Sequence, residues 1–153
     1  MRVVRCKLER RQAIVEIGLQ KFVPSARNLQ SQDAATAFPV NRYRALIDTG
    51  AQRTCLSRST IAIENLSSHG KRAIQNVHNQ QLHRLYFINL GFVCEIERPD
   101  GGDNDVSYYA METPCEVINI ADNEYFDAIL GMDILEQFDF RFHKTGEFLL
   151  QIP

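Results

Sequence analysis

The chain has 153 residues, of which 44% are hydrophobic and 24% charged, and its formal net charge is −2. This length suits one domain with a hydrophobic core and is too short for two substantial ones, so we expect a single domain over residues 1–153. The composition argues against intrinsic disorder, and the near-neutral charge argues against a nucleic-acid partner.

The four cysteines, Cys6, Cys55, Cys94 and Cys115, are widely spaced and form no C-x-x-C pair. This spacing indicates reduced, partly buried thiols rather than a zinc or redox site. A nucleophilic Cys55 would need a base from elsewhere in the fold, and core packing is the alternative. The sequence has no apolar segment typical of a secretory signal or a membrane span, so we expect a cytoplasmic protein with no membrane partner.

The first predicted elements are two strands. Before them, the basic residues between positions 2 and 11 are typical of a solvated face. Residues 13–22 place apolar side chains at a period of two, which predicts a half-buried strand. Residues 25–41, rich in Ser, Ala, Gln and Asn, indicate a long polar loop after Pro24. Residues 43–47 predict the second strand.

The middle of the chain predicts a short helix and a hairpin. Ser57 precedes an apolar stretch that ends near Glu64, and its hydroxyl can cap the free N–H groups of a helix. Residues 72–77 and 83–96 carry alternating, β-branched and aromatic side chains. The polar segment 78–81 is expected at the tip between these two strands.

The next predicted elements are strands separated by turns. Residues 99–104 form an acidic, Gly-containing turn. Strand candidates follow at 106–111 and 115–120, and a short apolar strand at 128–131.

The end of the chain predicts one or two helical turns over 132–138. Strands at 139–143 and 147–152 follow, around a turn at 144–146. The whole pattern predicts an all-β protein with one or two short helices.

Residues 45–51 read Ala-Leu-Ile-Asp-Thr-Gly-Ala, so an apolar strand delivers a carboxylate into a glycine turn. Gly50 permits a tight turn because it has no Cβ, and the hydroxyl of Thr49 can stabilise it. The carboxylate of Asp48 suits acid–base chemistry, or it caps the turn without a catalytic role. The motif alone leaves both interpretations open.

A second motif, residues 129–135, reads Ile-Leu-Gly-Met-Asp-Ile-Leu. With the first motif and the strands between them, it makes the chain resemble the retropepsins, the retroviral-type family of aspartic proteases. The resemblance spans residues 13–152. It implies a closed β-barrel of the acid-protease type, a symmetric homodimer, a peptide or protein substrate, and no cofactor or metal ion.

The resemblance also implies roles for individual residues. Asp48 would be the catalytic carboxylate and would act with Asp48 of a second copy, because peptide hydrolysis needs one ionised and one neutral carboxyl group around a water. The implied supports of the active-site loop and dimer are Thr49 and Gly50. The implied substrate-binding residues are Ala51, Gln52, His78 and Asn79. The implied structural supports beneath the loop are Ile129, Leu130 and Gly131.

Two features depart from the family pattern. Retropepsins pair an acidic residue with an arginine where this chain has Gln52 and Met132. Arg53 and Asp133 could replace that pair, although Asp133 is also suited to the positive end of a helix. The flap tip at 78–81 is polar, whereas the family's is Gly-rich and apolar. A non-catalytic dimerisation or peptide-binding module with the same fold is therefore the alternative function.

Two further expectations concern segments outside the motifs. The bond between Phe38 and Pro39 is of the aromatic–proline type that the family accepts, so it is a candidate for self-processing. The apolar strand 147–152 is expected to pair across the dimer, because it would otherwise form an exposed sheet edge.

Overall fold

The computed structural model describes residues 1–21, 40–75 and 78–153, and most of this part of the chain is β-sheet, as predicted. The two helices in it are α1 (Arg58–Ile63) and α2 (Met132–Leu135). The strands are β1 (Arg2–Lys7), β2 (Ile14–Lys21), β3 (Asn41–Ile47), β4 (Cys55–Ser57), β5 (Gly70–Gln75), β6 (Gln80–Ile96), β7 (Asp105–Ala110), β8 (Cys115–Ile120), β9 (Ala128–Leu130), β10 (Asp139–His143) and β11 (Glu147–Ile152).

All these strands belong to one sheet, whose order is β10-β11-β1-β6-β2-β3-β9-β4-β8. Strand β8 also pairs with β6, so the strand pairings run from β6 through β2, β3, β9, β4 and β8 back to β6. Strands β5 and β7 pair with β6 outside this series. The β3–β9 and β4–β8 pairs are parallel. Because β9 lies between β3 and β4, the two strands that flank residues 48–54 are joined by a strand from much later in the chain.

The core follows from the alternation of apolar side chains along the strands. In β2, Val15, Ile17 and Leu19 are buried on one face, as the period-two pattern predicts. They belong to the same apolar cluster as Phe92 and Phe148, which have no exposed surface. Burial of each such side chain stabilises the folded state by about 1.5–3 kcal/mol, so the core fixes which face of each strand points inward.

The basic N-terminal segment contains a strand that the sequence analysis missed. In β1, Val3 and Val4 are buried while Arg5 is exposed and forms ion pairs with Glu97 and Glu147, at 2.7 and 3.3 Å. The charged residues on either side of the two valines concealed the strand pattern. The interpretation of this segment as only a solvated face is therefore wrong.

The terminal strand β11 is an interior strand. It pairs with β10 on one side and with β1 on the other, and its side chains Phe148, Leu150 and Ile152 are buried. The expectation that 147–152 would be an exposed edge that pairs across a dimer is therefore wrong, because the same chain covers both of its edges.

Several boundaries differ from the predictions by one to three residues. Helix α1 begins after Ser57, whose side chain accepts a hydrogen bond from the Thr60 N–H, so the predicted cap is confirmed. Helix α2 ends at Leu135, and turns replace the predicted helix over 136–138.

Other predicted segments fall at the limits of the described chain. Asn41, predicted as loop, begins β3. The rest of that loop up to residue 39, including the Phe38–Pro39 bond, lies outside the described residues, as do residues 76 and 77 of the hairpin. Within the described ranges, the chain forms no helix of the length and apolarity that a membrane crossing requires.

Candidate active site

Asp48 lies directly after β3, at the start of a tight turn. Its main-chain N–H donates to the carbonyl of Leu130 at 3.1 Å, and the Ala51 N–H donates to the carbonyl of Asp48 at 3.2 Å. The Gly50 N–H donates to Asp48 Oδ1 at 2.9 Å. The other carboxylate oxygen, Oδ2, accepts no hydrogen bond from the described residues. Asp48 is half-buried.

The β9–α2 junction supports this turn from beneath. A Cβ on Gly131 would lie 2.6 Å from the carbonyl carbon of Arg53, so only glycine fits this approach of two backbones. The next N–H group, on Met132, donates to the carbonyl of Ala51 at 2.8 Å, and the Asp133 N–H donates to that of Gln52 at 3.3 Å. The start of α2 therefore satisfies carbonyl groups of the loop.

Thr54 is fully buried at the end of the same loop. Its N–H and its hydroxyl donate to the two carboxylate oxygens of Asp133, and its Oγ1 accepts from the Gly131 N–H at 3.2 Å. Asp133 Oδ1 also accepts from the Ile134 N–H at 3.0 Å. Sequence reasoning did not identify Thr54. The available signal was a threonine in a buried stretch, which must find hydrogen-bond partners.

Arg53 does not pair with Asp133. Its guanidinium donates to Glu116 Oε1 at 3.0 Å, and this hydrogen bond lowers the pKa of Glu116, with a smaller contribution from His69. His69 Nε2 lies 3.3 Å from Glu116 Oε2, and its ring stacks on Phe87 with centroids 4.1 Å apart. Glu116 therefore connects the loop after Asp48 to the base of the β5–β6 hairpin, a connection that the sequence did not indicate.

The remaining predicted site residues lie in three places. Ile129 and Leu130 are in β9, in register with Leu46 and Ile47 at the end of β3. Thr49, Gly50 and Gln52 are exposed on the turn, and Ala51 is half-buried. His78 and Asn79 are exposed at the tip of the β5–β6 hairpin. The turn and the tip are thus separate elements.

Cys55 follows Thr54 and is buried. Burial raises the pKa of its thiol to about 11, and the negative charges of Asp133 and Asp48 add smaller contributions. The thiol is therefore protonated at neutral pH and lacks the thiolate that a nucleophile needs. Its buried position agrees with a role in core packing. Across the described residues, no group of three or more His, Cys, Asp or Glu side chains is arranged to hold a metal ion.

Comparisons with known proteins support the fold. No protein-family model matches the chain, and no curated protein sequence matches it. Among solved structures, the chain is similar to a retropepsin-like aspartic protease from Rickettsia conorii, with a TM-score of 0.51 and 14% sequence identity. The match covers 97% of this chain and 89% of that one. The chain therefore has a fold similar to that of a retropepsin-like aspartic protease.

Proposed function

We propose that the chain is an aspartic endopeptidase of the retropepsin type, which acts as a homodimer on extended peptide segments. The observation that carries this proposal is the environment of Asp48. One oxygen of its carboxylate is fixed by Gly50, and no described residue donates to the other. The similarity of the fold to that of a retropepsin-like aspartic protease supports the same conclusion.

The proposal requires a second carboxyl group close to Asp48. Two other carboxylates contact the loop, but Glu116 is paired with Arg53. Thr54 and Ile134 donate three hydrogen bonds to the second, Asp133, so it serves as a structural acceptor. Asp48 of a second copy would supply the missing group in a symmetric dimer.

Electrostatics would make the two Asp48 carboxyl groups unequal. Two unit charges about 4 Å apart repel by about 4 kcal/mol at an effective dielectric constant of about 20. At about 1.36 kcal/mol per pKa unit, this separates the two ionisations by about 3 units. The pair would therefore share one proton from acidic to near-neutral pH.

This shared proton is what peptide hydrolysis needs. The ionised carboxylate removes a proton from the bound water, and the water oxygen attacks the carbon of the scissile carbonyl. The neutral carboxyl group gives its proton to the carbonyl oxygen. When the resulting tetrahedral intermediate breaks down, the C–N bond is cleaved and the leaving nitrogen takes a proton from the carboxyl group that had accepted one from water. The other carboxylate takes a proton back from a hydroxyl group of the intermediate, which leaves the carboxylic acid product and restores the pair.

Other residues would bind the peptide and hold the loop. The exposed residues Thr49 and Gly50 are proposed to support the loop and the dimer. A peptide in extended conformation would bind by strand addition. Its proposed contacts are Ala51, Gln52, His78 and Asn79. The proposed supports are Ile129, Leu130 and Gly131. The same proposal takes the protein to be a single cytoplasmic domain whose sheet closes into a β-barrel. It uses no cofactor in this proposal.

A cleavage assay on a mixed peptide library, run from acidic to neutral pH, tests the proposal. We expect the wild-type protein to cleave, a pepstatin-type inhibitor to block cleavage, and Asp48→Asn to abolish it. Asp100→Asn is a matched control, because Asp100 Oδ1 accepts from the Gly102 N–H at 3.1 Å in the same local geometry, on a different turn. Equal activity of the Asp48→Asn variant and the wild type would overturn the proposal.

The alternative is a non-catalytic module that binds peptides or dimerises. The exposed polar tip with His78 and Asn79 favours it, because the tip departs from the Gly-rich, apolar tip of the retropepsin family. Peptide binding by the wild type and Asp48→Asn with equal affinity, without cleavage by either, would support this alternative.

A further inference from the structure

A cavity of about 420 Å³ lies between helix α1 and strand β6, and none of its lining residues belongs to the Asp48 turn. On the helix side it is lined by Arg58 and Ile61, which are three positions apart and so share one face of α1. On the sheet side it is lined by Arg84 and Tyr86, which the alternation of a strand places on one face of β6. Its volume is within the range of small-molecule sites, about 300–1,000 Å³.

The charge of this cavity is positive. Arg58 and Arg84 line it, no Asp or Glu side chain of the described chain does, and neither arginine forms an ion pair with a described carboxylate. The carboxylates at the two ends of α1, Asp122 and Glu64, accept hydrogen bonds from other groups. The two positive charges are therefore not compensated by the described residues, and the cavity favours an anion.

Asn119 of β8 also lines the cavity and fixes the position of Arg84. Its Oδ1 accepts from the main-chain N–H of Arg84 at 3.0 Å, which leaves its NH₂ group as the end that can donate to a ligand. No described residue accepts a hydrogen bond from that NH₂ group or from the guanidinium groups of Arg58 and Arg84. The cavity therefore contains hydrogen-bond donors from α1, β6 and β8 that a bound anion could use.

We propose that this cavity binds a phosphate monoester, with the phosphate group between Arg58 and Arg84 and the organic part against Ile61 and Leu66. A phosphate monoester has close to two negative charges at neutral pH and three terminal acceptor oxygens, which match two guanidinium groups. A carboxylate has one charge and two oxygens, so it satisfies only one guanidinium fork. Ile61 and Leu66 supply apolar surface beside the charged groups. The inference does not depend on whether the protein is a protease.

Isothermal titration calorimetry with phenyl phosphate tests this site. We expect the wild type to bind phenyl phosphate about tenfold more tightly than benzoate, which has the same ring but only one charge. Arg58→Gln and Arg84→Gln should each weaken binding about tenfold or more, because each variant loses charge-assisted hydrogen bonds to the phosphate. The matched control is Arg141→Gln. Arg141 is exposed on β10 and does not line the cavity, so its loss should leave the affinity unchanged.

Amide hydrogen exchange on the wild type locates the ligand without any mutation. Phenyl phosphate should slow exchange in α1 and at Arg84 and leave the β10–β11 hairpin unchanged, and circular dichroism checks that each variant is folded. Inorganic phosphate that binds as tightly as phenyl phosphate would overturn the role given to the organic part. A wild type that does not bind phenyl phosphate, a cavity variant that binds it as tightly as the wild type, or an equal loss in Arg141→Gln would each overturn the inference.

Discussion

The carboxylate of Asp133 accepts hydrogen bonds from both the main-chain N–H and the hydroxyl of Thr54, at 3.0 and 2.8 Å. This pair connects the end of the Asp48 loop to the first turn of α2. Because Thr54 is fully buried, both of its donors would lack a partner if the carboxylate were removed. The position of the loop therefore depends on one side chain far along the chain.

Asp133→Ala is expected to lower the free energy of unfolding by about 2–4 kcal/mol, because it leaves two buried donors of Thr54 unsatisfied. Asp133→Asn should lower the free energy of unfolding by a smaller amount, because the carbonyl oxygen of the amide still accepts one of the hydrogen bonds. The NH₂ group of the amide faces the other donor and cannot accept. Urea denaturation followed by circular dichroism measures both. An Asp133→Ala variant as stable as the wild type would show that water replaces the carboxylate.

Gly131→Ala is expected to lower the free energy of unfolding by about 1–3 kcal/mol, because its Cβ would overlap the backbone of Arg53 and force the loop to move. Gly70→Ala is the matched control. A Cβ there would meet only a methyl group of Leu85, at 3.9 Å, so the change should stay within about 0.5 kcal/mol. The same denaturation experiment compares them, and equal effects would contradict the close approach.

The ion pair between Arg53 and Glu116 should make stability depend on pH. Because the pKa of folded Glu116 is lowered, its contribution is present above the pKa of the unfolded chain and is lost as the pH falls through the folded value. Both groups are partly exposed, so Glu116→Gln should cost about 0.5–1 kcal/mol at neutral pH and less in acid.

Denaturation curves at several pH values test this dependence. The exposed Glu124→Gln is the control and should leave the curves unchanged. If Glu116→Gln lowered the free energy of unfolding by the same amount in acid as at neutral pH, packing and not charge would be responsible.

The cysteine thiols should differ in reactivity between the folded and unfolded protein. Burial raises the pKa of Cys55 to about 11 and that of Cys115 to about 12, so neither is a thiolate at neutral pH. We expect both thiols to resist a thiol reagent in the folded protein and to react with it once denaturant is added. Mass spectrometry measures the labelling in each state. Rapid labelling of Cys55 in the folded protein would contradict its place in the core.

The sequence predicted those strands whose side chains alternate over at least five residues. Strand β2 and the β10–β11 hairpin are examples, and Ser57 marked its helix because the cap is a local interaction. Strand β4 was missed because its three residues are all buried and show no period. The pairing of β11 was wrong because it depends on β1, at the other end of the chain, and no local pattern records such a contact.

The site shows the same division between local and long-range information. The two motifs identified Asp48 and Gly131, because a glycine turn after an apolar strand is visible in the sequence itself. The partners of Thr54 and Arg53 were not identified, since Asp133 and Glu116 reach them only in the folded chain. The structure, and not the sequence, shows where these partners lie.

Strand β6 runs from the hairpin tip into the core, but its two ends are held differently. Residues 80–84 pair with β5, and His83 and Arg84 also hydrogen-bond to Asn119. From Leu85 onward the described strand pairings also include β8, β2, β7 and β1. The outer part can therefore open by local unfolding while the rest stays folded. Amide hydrogen exchange should therefore be faster over residues 80–82 than from Arg84 onward, where the N–H groups gain partners outside the hairpin. For the proposed peptide substrate, the free energy of admission would be that of opening this short end of the hairpin.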